Sequence, residues 1–117
     1  MKYLALIYSP QNSTPAYGTP EFGAFMGEYQ AAHETYTKDK VILSGEALDN
    51  SSAATTVRVR DGKTETMDGP FAETKEQLGG FYLFECDNLD DAIKYAAMIP
   101  TAKYGTVELR PVQEFSN

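Results

Sequence analysis

An α+β fold of the ferredoxin-like kind, βαββαβ with an added β-hairpin, is what this sequence predicts, and three observations carry it. Residues 2 to 8 and 81 to 86 are apolar at both alternate sets of positions, as in strands covered on both faces. An apolar stripe at helical spacing follows each of them. Between the two halves lies an alternating segment broken by Asp61-Gly62, the signature of a tight hairpin. The order is then strand, helix, strand, hairpin, strand, helix, strand. At 117 residues the chain is expected to form one domain, 1–117, with a core that needs neither disulfide nor structural metal.

Composition narrows the function classes. A 42% hydrophobic and 23% charged chain is ordinary for a globular protein. The net charge of -7, with 10 basic residues scattered and unclustered, disfavours nucleic-acid backbones and anionic lipid, so neither is expected as a direct partner. The one cysteine, Cys86, excludes an internal disulfide and suits a reducing compartment. The apolar run of Met1 to Pro10 is too short for a membrane span and precedes no cleavage pattern, so a soluble, cytoplasmic protein is expected.

In chain order, Lys2 to Tyr8 reads as a central strand, and Ser9 to Gly18 as a loop rich in Pro, Asn and Gly. Thr19-Pro20-Glu21 opens a helix with an N-cap acceptor, a proline at the first helical position and an acid in the first turn. Phe22, Phe25, Met26, Tyr29, Ala32, His33 and Tyr36 form its stripe over about five turns. Val41-Ile42-Leu43 starts a strand towards Gly45-Glu46-Ala47-Leu48. Thr55 to Arg60 and Lys63 to Met67 make the hairpin, one face of it wet. Phe81 to Cys86 is a strand, and Asp87-Asn88 caps a helix whose stripe is Leu89, Ala92, Ile93, Ala96 and Ala97, ended by Pro100. Thr106 to Arg110 is the last strand. Two helices cover one face of such a sheet, so the two-sided strands predict that the other face meets a second copy across a partly apolar space.

Asp68-Gly69-Pro70-Phe71 has a plain reading as a turn with a tucked ring. Its functional reading makes Asp68 a general base, or a polar anchor, at the mouth of a cavity under the sheet. Glu73, Lys75 and Glu76 read as a solvated charged run, and Gly79-Gly80 as a bulge rather than a phosphate cradle. His33, the single histidine, is placed on the first helix's stripe, as a core or rim residue or a proton relay. No clustered His or Cys spacing offers a metal site, and no cofactor motif is visible, so neither is expected. Arg58, Arg60 and Arg110 lie in strands, where an arginine holds a carboxylate ligand bidentately or lies on a wet face. Glu46 follows a strand glycine, and Tyr3, Tyr8 and Tyr82 read as core or dimer-face residues.

Gly45 to Leu48, the strand Thr55 to Arg60, the run Asp68 to Phe81 and Val107 to Val112 together resemble the YCII-related family in its DGPF branch. The resemblance implies a dimeric α+β barrel and, in one branch, a His–Asp pair in a pocket at the dimer interface. Asp68 matches the acid; the histidine of that branch falls nearer Glu28, with His33 further on. Some relatives accompany alternative sigma factors. The expectation is therefore a homodimer that binds a small polar organic molecule near Asp68, with His33 as catalytic helper and Arg60, Glu46, Phe71 and Lys75 around the ligand. The alternative is a non-catalytic sensor or interaction module beside a transcription regulator such as a sigma factor.

Overall fold

The structure, a computed structural model, describes residues 1–72 and 74–115, and its elements follow the predicted order. They are β1 (Lys2–Pro10), α1 (Pro20–Lys38), β2 (Ile42–Ala47), β3 (Thr55–Arg60), β4 (Lys63–Asp68), β5 (Glu76–Glu85), α2 (Leu89–Ala96) and β6 (Thr106–Pro111). One antiparallel sheet runs β2-β5-β1-β6, and β3-β4 forms a separate two-stranded ribbon. Gly79 is the extra residue of a bulge, since Ile7 pairs with Gly80 while Tyr8 pairs with Leu78. Strand β5 starts earlier than predicted, because Ser9 and Pro10 prolong β1 and give Gln77 and Glu76 partners. Glu76 is thus part of the sheet rather than of a solvated run; Glu73 lies outside the described residues.

Capping sets where both helices begin. Thr19 is extended and its Oγ1 accepts from the Phe22 N–H at 3.1 Å, while the Asn88 Oδ1 accepts from the Asp91 N–H at 2.8 Å. Helix α1 turns Phe22, Phe25, Tyr29, Ala32 and Tyr36 inward. Met26 and His33, predicted on that stripe, are exposed, because the seam is only one residue wide per turn. In α2 the buried set is Ala92, Tyr95 and Ala96, and Leu89 and Ile93 point outward at 48% and 50% exposure. Residues two apart on a helix sit on nearly opposite sides, so Ile93 and Tyr95 cannot both face in. Tyr95 wins because both its ends are bonded. Its hydroxyl donates to Asp39 Oδ2 at 2.8 Å and its carbonyl accepts from the Tyr36 hydroxyl at 2.7 Å.

The core lies between the helices and one sheet face. Tyr36, Phe84 and Ile99 are fully buried there. The Tyr36 ring meets Phe84 and Tyr82 edge to face at 5.0 and 5.5 Å. Burial pushes the Tyr36 hydroxyl and the Cys86 thiol up from their ordinary values. Gly45 is required by close approach: a Cβ there would strike the Tyr82 ring and stand 2.9 Å from the Phe81 carbonyl oxygen.

The ribbon is an arm. Asp61 and Gly62, with φ of 52° and 75°, make the turn with two left-handed residues that suits strand twist. The radius of gyration of 16.3 Å exceeds the roughly 13 Å of a compact chain this long. The extents of 48 × 48 × 19 Å describe a slab, so the arm extends the slab sideways and does not fold over the sheet. Every residue of β4, and all of β3 but Thr56, is exposed. Among the described residues, no helix is long and apolar enough to cross a membrane.

Candidate functional site on the open sheet face

Alternation along β1 sends Tyr3, Ala5 and Ile7 under the helices and Leu4, Leu6 and Tyr8 to the opposite face. Cross-strand partners share a side, so the register assigns the rest of that open face. Leu83 and Phe81 lie opposite Leu4 and Leu6; Ser44 and Glu46 lie opposite Leu83 and Phe81; Arg110, Glu108 and Thr106 lie opposite Leu4, Leu6 and Tyr8. The result is an apolar floor of four half-buried side chains, with Glu46 along one edge and Glu108 and Arg110 along the other.

Arg110 Nε donates to Glu108 Oε2. That bond and the carboxylate charge raise the guanidinium above its ordinary value, with a smaller push from Tyr8. The pair is well exposed, so it is worth little as a brace. An exposed guanidinium can hold a ligand oxyanion with two parallel bonds.

The predicted site residues are spread out within one copy. Asp68 is exposed at the root of the arm, where Gly69, with φ of 98°, donates to the Ala54 carbonyl at 2.7 Å and accepts from Thr56 Oγ1 at 2.8 Å. Gly69 bends the chain as the turn reading expects, but Phe71, expected to tuck its ring under that turn, stands out in solvent. By register Asp68 lies on the same arm face as Thr55, Val57, Val59, Thr64 and Thr66. Phe71 stands at 85% exposure beside the opposite face, in a shallow groove of about 150 Å³ with Thr56, Arg58, Glu65 and Met67. Arg60 is at the arm's tip opposite Lys63, five residues or roughly 17 Å from Asp68. Lys75 is exposed just before β5, Glu46 faces solvent on the open face, and His33 is exposed on the helix layer behind the sheet. Glu46 alone of this set shares the apolar floor.

The grouping of Tyr8, Glu108 and Arg110 escapes sequence reading. Tyr8 and Arg110 lie more than 100 positions apart, and only the antiparallel register of β1 with β6 brings them to the same rim of the open face. A wider cleft of about 380 Å³ lies at the other end of β5, lined by Asp39, Glu85, Cys86, Asp87, Asp91 and Tyr95. Part of its polar lining is engaged within the chain: Tyr95 with Asp39, and the Met1 amine with Glu85 at 3.2 Å and with the Cys86 carbonyl at 2.9 Å. Among the described residues, no group of three or more His, Cys, Asp or Glu is placed to hold a metal ion.

Known proteins share this architecture. The structure of 5-chloro-2-hydroxyhydroquinone dehydrochlorinase from Burkholderia phenoliruptrix AC1100, solved with 2,5-dihydroxybenzoquinone, matches with a TM-score of 0.52 and 13% identity, over 98% of this chain and 96% of that one. That likeness is one of fold. An uncharacterised protein of Rhizobium meliloti (strain 1021) is 38% identical over 114 residues, 96% of this chain and 92% of that protein. The YCII-related domain matches residues 1–116, and with it the chain belongs to the YCII-related family.

Proposed function

We propose that two copies pack open face to open face and bind a small polar organic molecule between them. One observation carries this reading: among the described residues, Leu4, Leu6, Phe81 and Leu83 form an apolar floor only half withdrawn from water, with the exposed guanidinium of Arg110 at its rim. An unsaturated ring bearing acidic oxygens suits that arrangement, its plane on the floor and an oxyanion on Arg110. The dihydroxybenzoquinone held by the structurally similar dehydrochlorinase is of this chemical kind. Asp68, at the margin, is the general base. It takes a proton from the ligand, and the electron pair left behind forms a new double bond as a leaving group departs.

The test is calorimetric titration of 2,5-dihydroxybenzoquinone into the wild-type chain and Arg110→Met. Binding is expected in the first and about tenfold weaker binding in the second, the loss of one charge-assisted contact. Equal affinities would remove the arginine from the site. Asp68→Asn is expected to keep binding and to lose turnover of any ligand that the wild type converts.

A second reading is a non-catalytic interaction module beside a sigma factor, favoured by the exposed apolar side chains of the arm. It expects ligand binding without turnover and co-elution with a purified sigma factor in gel filtration. Separate elution at micromolar concentrations removes it.

A further inference from the structure

The arm presents two unlike faces. Thr56, Arg58, Arg60, Lys63, Glu65 and Met67 make one, with Arg58 Nε donating to Glu65 Oε2 at 2.8 Å; Met67 and the neighbouring Phe71 are exposed there, but four charged side chains keep this face hydrated. The other carries Val57 and Val59 opposite Thr66 and Thr64, with Asp68 at its root. Val57 and Val59 are 60% and 58% exposed, so nothing among the described residues covers them. An isolated two-stranded ribbon is marginal in water, so a ribbon of six-residue strands needs a surface to lie on.

Size indicates what that surface is. Four strands about 4.8 Å apart and about six residues long present a sheet face of roughly 400 Å², half of the roughly 800 Å² per partner that a stable association buries. By the same measure the two-stranded arm adds roughly 200 Å², which brings the face to roughly 600 Å², the low end of what a stable association buries per partner. The arm projects sideways from the slab, where a facing copy would present its own sheet edge.

We propose that the Val57/Val59 face of the arm is a clasp that lies against the second copy, and that the clasp roofs Asp68, so that each site is completed by the partner's surface. The inference rests on the dimer reading of the open face and adds the arm to it. A clasp of this kind separates the two arm faces functionally. Val57 and Val59 hold the copies together, while Arg58 and Glu65 stay in solvent.

The experiment is sedimentation of the wild-type chain, of Val57→Glu/Val59→Glu and of Arg58→Ser/Glu65→Ser across a concentration series. Both valines touch nothing in the core of their own subunit, so the circular dichroism of the first variant is expected to match wild type. Its dimer dissociation constant is expected to rise about a hundredfold, as two charges enter an apolar contact. The Arg58/Glu65 variant is expected to shift it less than about threefold. A wild-type chain that is monomeric at micromolar concentration overturns the dimer reading itself. A dimer that survives both glutamates unchanged, or that loses equally from either arm face, overturns the clasp alone. Should the glutamate variant fail to fold, hydrogen exchange on the wild type decides. Protection of amides 55 to 68 that vanishes on dilution supports the clasp, and fast exchange throughout the intact dimer sinks it.

Discussion

The two faces of the central sheet are built from alternate residues of the same strands, yet they live in different solvents. Phe84 is fully buried against Tyr36, whereas its chain neighbour Leu83 points the other way and is half-buried with Leu4. On the helix side every buried side-chain polar atom among the described residues has a partner and aromatic rings interlock; on the open side the apolar floor is edged by an acid on one flank and an exposed ion pair on the other. One strand thus carries a finished interior and an unfinished one. A surface of the second kind is where binding, of a ligand or another copy, has most to gain.

The largest expected effect that breaks this comparison is Phe84→Ala, at about 3–5 kcal/mol lost in urea unfolding. Leu83→Ala, one residue away, should cost about 1 kcal/mol at concentrations low enough to separate copies, since its side chain is only half withdrawn from water. Equal costs at the two positions would mean that the faces are not different. Tyr36→Phe sharpens the description of the finished side: it removes one of the two donors to the Tyr95 carbonyl, which keeps the Met98 N–H at 3.1 Å, and should cost about 0.5–1.5 kcal/mol.

The smallest effect is one of pH. The hydrogen bond to Asp39, with burial and the Asp39 charge adding to it, pushes the Tyr95 hydroxyl up from 10.0 to about 12. A group whose folded value is raised contributes fully below its unfolded value and loses that contribution as pH rises through the folded one. The helix-side anchor therefore holds below pH 10 and weakens between 10 and about 12. Urea midpoints followed across that window should fall less steeply in Tyr95→Phe than in wild type. Parallel curves would show that the bond does not stabilise the fold.

Much of the fold is legible along the chain because its signals are local. Thr19-Pro20 and Asn88 cap helices by bonding backbone groups two or three residues away, and Asp61-Gly62 turns the ribbon by its own dihedral preferences. The inward stripe of α2 was not legible, since Leu89 and Ile93 are as apolar as the residues that displaced them. The choice lay with Tyr95 and its two distant partners, Asp39 and Tyr36. The candidate site was legible only in fragments. Asp68 and Phe71 are neighbours in sequence but stand on opposite sides of the arm, and His33 lies behind the sheet rather than over its open face.

Element order, helix starts, the ribbon turn and the need to cover two-sided strands follow from the sequence, because dihedral preferences and hydrophobic periodicity act over a few residues. Only the tertiary structure decided which side of each strand the helices took, that Tyr8, Glu108 and Arg110 share an edge, and that the arm stands clear of its own sheet. Those outcomes depend on register and on packing between segments as much as a hundred residues apart or more, where one residue of slip moves every side chain to the other face.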